Sequence, residues 1–253
     1  MSGFPPIPQQ VTPTPVVPGV WDLPISIVHA YLIADGDAPD APLALVDTGL
    51  AGSAPAILSA VTALGRRPED VRWIVATHLH VDHTGSLAEL KRLTGAEVLM
   101  HAVDATAVAA GVGGRTMHES PAPGSAAFVA GFDPRTRRIE PCATDRMLAD
   151  GDELPFAGGG RVVHAPGHAA GQVTLLLPHA GGLLVAADAL GNGGNRLGWS
   201  LGYEDIAQGV ASIERLAGLT FEHAVFGHGD PIVGGADAQF RRAARDVFGA
   251  DSA

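Results

Sequence analysis

Only one cysteine, Cys142, occurs in the 253 residues, so no intramolecular disulfide can brace the chain. Positive charge is scarce too. Sixteen Lys and Arg stand against 27 Asp and Glu, a formal net charge of −11. Phosphate backbones attract clustered positive charge, so this balance argues against a nucleic-acid partner. No run approaches the roughly 20 apolar residues of a spanning helix, so no membrane partner is expected. The N-terminus, MSGFPPIPQQVTPTPVVPG, has neither a basic start nor an apolar stretch and does not read as a signal peptide. These absences make a cytoplasmic protein the expectation. What is present is enough for a sizeable core: 46% of residues are hydrophobic and 17% charged.

Along the chain, residues 1–19 are proline-rich and read as an extended N-terminal arm. Residues 20–253 read as one domain. ISIVHAYLIA (25–34) looks like a strand and PLALVD (42–47) its hairpin partner, followed by a helix over 54–64. WIVAT (73–77) reads as a buried strand, 86–93 as a helix and 96–100 as a strand. The stretch 102–147 has no sustained period and reads as a loop-rich insertion, uncommon unless functional. Strands resume at 161–165, 172–177 and 183–187. A helix over 204–217, a strand at 223–226 and a closing helix over 236–248 complete the order. Strands alternating with helices and interrupted by hairpins predict an α/β fold of helix-covered sheets. LALVDTG and LLVAADA echo each other weakly, each a strand ending in an aspartate.

Directly after WIVAT comes His78-Leu79-His80-Val81-Asp82-His83. A single imidazole can be satisfied in a core. Three imidazoles and a carboxylate within six residues are costly to bury without a cation, and neutral nitrogen with charged oxygen suits Zn²⁺ and similar divalent metals. His168, Asp188 and His228 each follow a predicted strand, with Gly167, Gly191, Gly227 and Gly229 close by. Five histidines and two aspartates are too many for one tetrahedral ion and suit two metals sharing a carboxylate. The strand-end placement puts them at a sheet rim, where clefts form.

THLHVDHTG, APGHAAGQ, Asp188 and FGHGD, with Asp47-Thr48-Gly49, resemble the successive motifs of the metallo-β-lactamase superfamily over about residues 17–245. The resemblance implies a four-layer αββα sandwich with metals at one edge between two sheets. It implies that His78, His80 and His168 bind one metal, that Asp82, His83 and His228 bind the second, and that Asp188 bridges them. Asp47 would fix the tautomer of a ligand histidine, and Asp82 would also act catalytically on the attacking hydroxide. The implied cofactor is a pair of divalent ions, Zn first and Mn or Fe as alternatives.

The implied activity is hydrolysis of a small-molecule ester, lactone or thioester by a metal-bridging hydroxide. Asp188 resembles the glyoxalase II-like and lactonase-like branches, since familiar lactam-cleaving members usually lack that aspartate. An iron-dependent sulfur dioxygenase-like oxidoreductase is the second reading, with β-lactam cleavage ranked below it. The pocket candidates are His118, Asn192, Asn195, Arg196, Trp199 and Tyr203; Trp199 and Tyr203 read either as apolar pocket walls, with the Tyr203 hydroxyl an oxyanion donor, or as packing of the loop onto the sheet. Arg115 and Arg135 to Arg138 are either an attraction for an acidic substrate or a solvated face. Met117, Phe128 and Phe132 form either a lid or an anchor for the insertion. Cys142 reads as inert. His29, His101, His164, His179 and His223 read as structural or exposed, and the oligomeric state is open.

Overall fold

The computed structural model describes residues 6–194 and 196–248. Asn195 and the first five residues of the arm lie outside the described residues. A seven-stranded sheet runs in the order Thr14–Val17, Val20–Ile25, Val28–Ala34, Leu43–Val46, Val71–Val75, Glu97–His101, Arg146–Leu148. Its first four strands pair antiparallel and the remaining three join in parallel. A five-stranded sheet follows, in the order Ile232–Val233, His223–Val225, Leu183–Val185, Val173–Leu177, Arg161–His164. Its Leu183–Val185 and His223–Val225 pair is parallel and its other pairs are antiparallel.

Alternation along the strands assigns the faces. In Leu43–Val46, Ala44 and Val46 point toward the second sheet, whereas Leu43 and Leu45 point toward helices. Between the sheets lie Tyr31, Ile33, Val75 and Leu99 from one side, and Val173, Leu175, Val185 and Val225 from the other. Helices Ala54–Ala63 and Leu87–Thr94 cover the outer face of the first sheet with Ile57, Val61, Leu87 and Leu90. Helices Ile206–Ala217 and Ala236–Phe248 cover the second with Ile213, Leu216 and Phe240. The architecture is the expected four-layer αββα sandwich. Each buried Leu, Ile or Val contributes about 1.5–3 kcal/mol, so three apolar layers hold the rim loops without help from a disulfide.

Three features differ from the sequence reading. The run 25–34 is not one strand: Val20–Ile25 and Val28–Ala34 form a hairpin, with Ser26 at φ 61° between them. The end of the arm, Thr14–Val17, is the edge strand of the first sheet. The stretch 102–147 contains helices Ala102–Ala109 and Ser125–Ala130, and Arg146–Leu148 belongs to the first sheet. Ala102–Ala109 is alanine-rich, with little polar contrast to set a period, and Ser125–Ala130 is less than two turns long, which explains their illegibility. Among the described residues no helix is long and apolar enough to cross a membrane.

Candidate metal centre

The seven candidate ligands come from loops at one end of the sandwich. Val71–Val75 runs into Thr77 and His78, and a single helical turn, Val81–Thr84, starts at His80 and carries Asp82 and His83. His168 follows Arg161–His164, Asp188 follows Leu183–Val185, and His228 follows His223–Val225. Close backbone packing is required here. Gly167 sits at φ 137°, and a Cβ on it would strike Gly209 of the covering helix.

Three groups of side chains place ligand atoms within 4.8 Å of one another: His78, His80 and His168; His78, His83 and Asp188; and Asp82, His83 and His228. His80 Nδ1 lies 2.9 Å from His168 Nε2. Asp188 Oδ2 lies 3.3 Å from His168 Nε2 and 3.2 Å from His228 Nε2, so one carboxylate oxygen touches both ends of the cluster. Asp188 Oδ1 lies 3.6 Å from His83 Nε2, and Asp82 Oδ2 lies 3.4 Å from His228 Nε2. Ligands about 2.0–2.1 Å from a tetrahedral ion stand about 3.3–3.4 Å from one another. The spacings are those of ligand edges.

Hydrogen bonds on the outer ring atoms decide which nitrogens face inward. His168 Nδ1 donates to Gly202 O at 2.8 Å, and His228 Nδ1 donates to Ile27 O at 2.7 Å. His83 Nδ1 meets Asp47 Oδ2 at 2.9 Å. Thr77 extends the same anchor: its hydroxyl donates to Asp47 Oδ2 and so accepts from His78 Nδ1 at 3.0 Å. With Nδ1 protonated, each of these four rings turns an Nε2 lone pair into the site. Asp47, held at φ 61° at the end of its strand, thereby orients two ligand candidates, one directly and one through Thr77.

Several of the inward atoms have no partner. Nε2 of His78, His80 and His83 and Oδ1 of Asp188 are buried without a hydrogen bond. Each unsatisfied buried polar group costs about 1–3 kcal/mol, and four of them on residues of the adjoining ligand groups fit a cation-binding role. The electrostatics agree. Burial pushes the His78, His80 and His168 imidazoles down, which favours the neutral form that ligates. Burial also pushes His83 down, but Asp188, Asp47 and Asp82 outweigh it and hold that imidazole at about 10. His228 is likewise raised, because Asp188 and Asp82 outweigh its burial. These carboxylates concentrate positive charge, and a divalent ion among them takes over from the protons on His83 and His228. Its affinity therefore rises with pH.

A buried ionic knot ties the loops together. Asp104, fully buried, accepts from Leu79 N at 3.0 Å and Gly171 N at 3.1 Å and pairs with Arg115 at 2.7 Å. Glu204 pairs with the same Arg115 at 3.2 Å and accepts from Ala170 N at 3.0 Å. The peptide between His78 and His80 is thus linked to the loop after His168. Arg115 is consumed by this knot and does not attract substrate. No sequence signal pointed to Asp104 or Glu204, since both lie in stretches without a motif.

The pocket candidates separate. Tyr203 is fully buried, and its hydroxyl donates to Ala189 O at 2.8 Å, so it is not aimed at a substrate carbonyl. It packs edge-on against the His168 and Trp199 rings, at 5.7 and 5.2 Å between centroids. That corrects the oxyanion reading. Tyr203→Phe is expected to cost about 1 kcal/mol of stability, the worth of one hydrogen bond, while turnover stays within about threefold. A larger fall in turnover, measured at full metal loading, would restore a direct role. Asn192 also serves the backbone, donating from Nδ2 to Asp230 O at 2.7 Å, while its N–H donates to His228 O. His118 is exposed on a two-residue ribbon with Tyr203, outside the three ligand groups, and Arg196 is exposed. Met117 and Phe128 pack around Gly202 and anchor the insertion, whereas the Phe132 ring stands 6.3 Å from that of His80. Cys142 is buried with its thiol pushed up by desolvation, in keeping with an inert role.

Comparison with known proteins points the same way. The family model of the metallo-beta-lactamase superfamily matches residues 23–228. A hydroxyacylglutathione hydrolase of Anaeromyxobacter dehalogenans is 46% identical over 78 residues, which is 30% of this chain and only 26% of that protein. A probable metallo-hydrolase of Bacillus subtilis is 26% identical over 232 residues, covering 85% of this chain and 86% of the relative. Among solved structures, a metallo-β-lactamase of Cronobacter sakazakii with an HARLDQ motif is similar with a TM-score of 0.68 at 25% identity, over 86% of this chain and 81% of the other.

Proposed function

The chain belongs to the metallo-β-lactamase superfamily, whose relatives here are hydrolases, and we propose that it cleaves a small ester, thioester or lactone at a two-metal centre. The observation that carries this reading is the grouping of seven histidine and aspartate side chains in three adjoining sets of mutually close ligand atoms, four of whose residues bury a polar atom without a partner. His78, His80 and His168 would hold one ion and Asp82, His83 and His228 the other, with the Asp188 carboxylate available to either. Zn²⁺ is the first choice for such a donor set, with Mn or Fe as alternatives. When bound, the ion pair supplies an ionised water at neutral pH and polarises a carbonyl oxygen.

The remaining tasks fall to the chain itself. Asp47 and Thr77 keep His78 and His83 in the ligating tautomer and so fix the angle at which both rings enter. The Asp82 carboxylate is 17% exposed against 3% for Asp188, so it is the acid group that faces incoming water. Asp82 would orient the attacking water by accepting its hydrogen bond; burial opposes its charge, but His83 and His228 outweigh that and hold its carboxylate well below the usual range, so it stays ionised, as does Asp188 buried among imidazoles. Phe132, with Trp199 on the neighbouring loop, supplies apolar surface that limits water around the substrate. No serine or cysteine nucleophile is needed, and Cys142 takes no part. A small-molecule substrate in the cytoplasm completes the reading.

Chelation tests it. Removing metal is expected to lower turnover of a responsive ester, thioester or lactone by at least about a hundredfold, with recovery on adding Zn²⁺ or Mn²⁺. β-Lactams serve as the comparison arm of the panel. Unchanged rates after verified metal removal would reject the mechanism, and oxygen uptake with a persulfide in place of hydrolysis would replace it with oxidation.

A further inference from the structure

The insertion's cations are not equivalent. Arg115 is held by Asp104 and Glu204, Arg135 by Asp133 and Arg138 by the carbonyl of Ala110. Arg137 has no carboxylate partner among the described residues, and its Nε is buried without a hydrogen bond. Its guanidinium lies 4.8 Å from the centre of the Phe132 ring, and Phe132 is the aromatic neighbour of His80. Gly113 and Gly114 bring Arg137 close to the ligand loop. Gly113 accepts from Val81 N through its carbonyl and donates to Arg137 O, and a Cβ on Gly114 would press on Arg137 and Phe132. An open cavity of about 390 Å³ lies beside the ligand loop, lined by Arg137, Arg138, Ile139, Leu50, Ile7 and Val81, the residue between His80 and Asp82, and by none of the seven ligand candidates. That volume is in the range of small-ligand sites, about 300–1,000 Å³.

We infer that Arg137 determines specificity at the proposed hydrolytic site by binding a second, anionic group of the substrate, a carboxylate remote from the scissile bond. The inference rests on the two-metal reading for the position of that bond. An arginine with a free fork binds a carboxylate through two parallel hydrogen bonds, and stacking on Phe132 holds its plane in advance. In a chain of net charge −11, an unpaired cation beside the site is also a local attraction for an anion that the rest of the surface repels.

Binding of product-like acids tests this without requiring turnover. Succinate, glutarate and adipate would be titrated into the zinc-loaded protein alongside monoacids of the same chain lengths. The best diacid is expected to bind at least about tenfold more tightly than its monoacid. Arg137→Gln should abolish that gap, and Arg137→Lys, which keeps charge without the planar fork, should retain part of it. Equal binding of diacids and monoacids by the wild type, or an unchanged gap in R137Q, would overturn the inference. Should R137Q fail to fold, the wild-type gap must narrow as ionic strength rises, and a salt-independent gap would overturn it equally. A protein that shows the gap yet hydrolyses nothing in the panel would refute the hydrolase reading and, with it, the role of Arg137 in hydrolytic specificity, leaving Arg137 only as a carboxylate-binding residue.

Discussion

Asp188→Ala is expected to lower turnover by about a thousandfold or more while leaving a folded protein. One of its oxygens contacts both His168 and His228, and the other approaches His83, so no other side chain serves both ends of the cluster. Losing several kcal/mol of metal-borne stabilisation corresponds to about 10³ in rate at about 1.36 kcal/mol per decade. His80→Ala should act as severely, because His80 faces His168 across 2.9 Å and closes the first triad. Neither side chain contributes to the three apolar clusters, so thermal unfolding should remain cooperative. Kinetics at verified metal content, with a thermal melt as control, check both variants. Near-normal hydrolysis at normal metal content would show that the ligand assignment is wrong.

Gly227→Ala is the second large effect, and it replaces no ligand. A Cβ at position 227 would collide with Asp188 Oδ1 and come within 2.7 Å of His83 Cε1. The backbone at Gly227 is not left-handed, so alanine is locally permitted and the penalty falls on the two ligands. Displacing them is expected to weaken metal binding by about 10–100-fold, the cost of disturbing ligand orientation, with turnover falling at least as far. Gly95→Ala is the matching control. Gly95 ends helix Leu87–Thr94 at φ 72°, and nothing lies where its Cβ would go. That substitution should cost about 1 kcal/mol of stability and leave metal affinity unchanged. Zinc titration against a competing chelator distinguishes the pair. Equal affinities in G227A and wild type would mean that Asp188 and His83 do not ligate.

How far the sequence discloses the site depends on the kind of contact. Side chains of distinctive chemistry at strand ends are the legible part: His78, His80, Asp82, His83, His168, Asp188 and His228 lie together, and Asp47 lies against His83. Contacts made by backbone atoms are not. The carbonyls of Ile27 and Gly202 orient His228 and His168, and no residue type advertises a carbonyl's direction. Ile27 is instructive. The run ISIVHAYLIA reads as one strand because it lacks Gly, Asn or Asp, yet Ser26 adopts the left-handed conformation and turns the chain there. That unannounced turn carries the acceptor for His228. Thr77 shows a third case, a residue inside the motif whose relay between Asp47 and His78 appears only once the strands are paired. In the knot of Asp104, Arg115 and Glu204, Arg115 pairs with a glutamate 89 positions further along the chain, so local pattern could not disclose it.

The central claim is that these side chains hold two ions, and anomalous diffraction from crystals grown with zinc tests it most directly. Data collected on either side of the zinc absorption edge should give two peaks per chain, about 3.5–4 Å apart. One should lie among His78, His80 and His168, the other among Asp82, His83 and His228, with Asp188 reaching both. Absence of any peak at saturating zinc, with these side chains turned away from one another, would contradict the account.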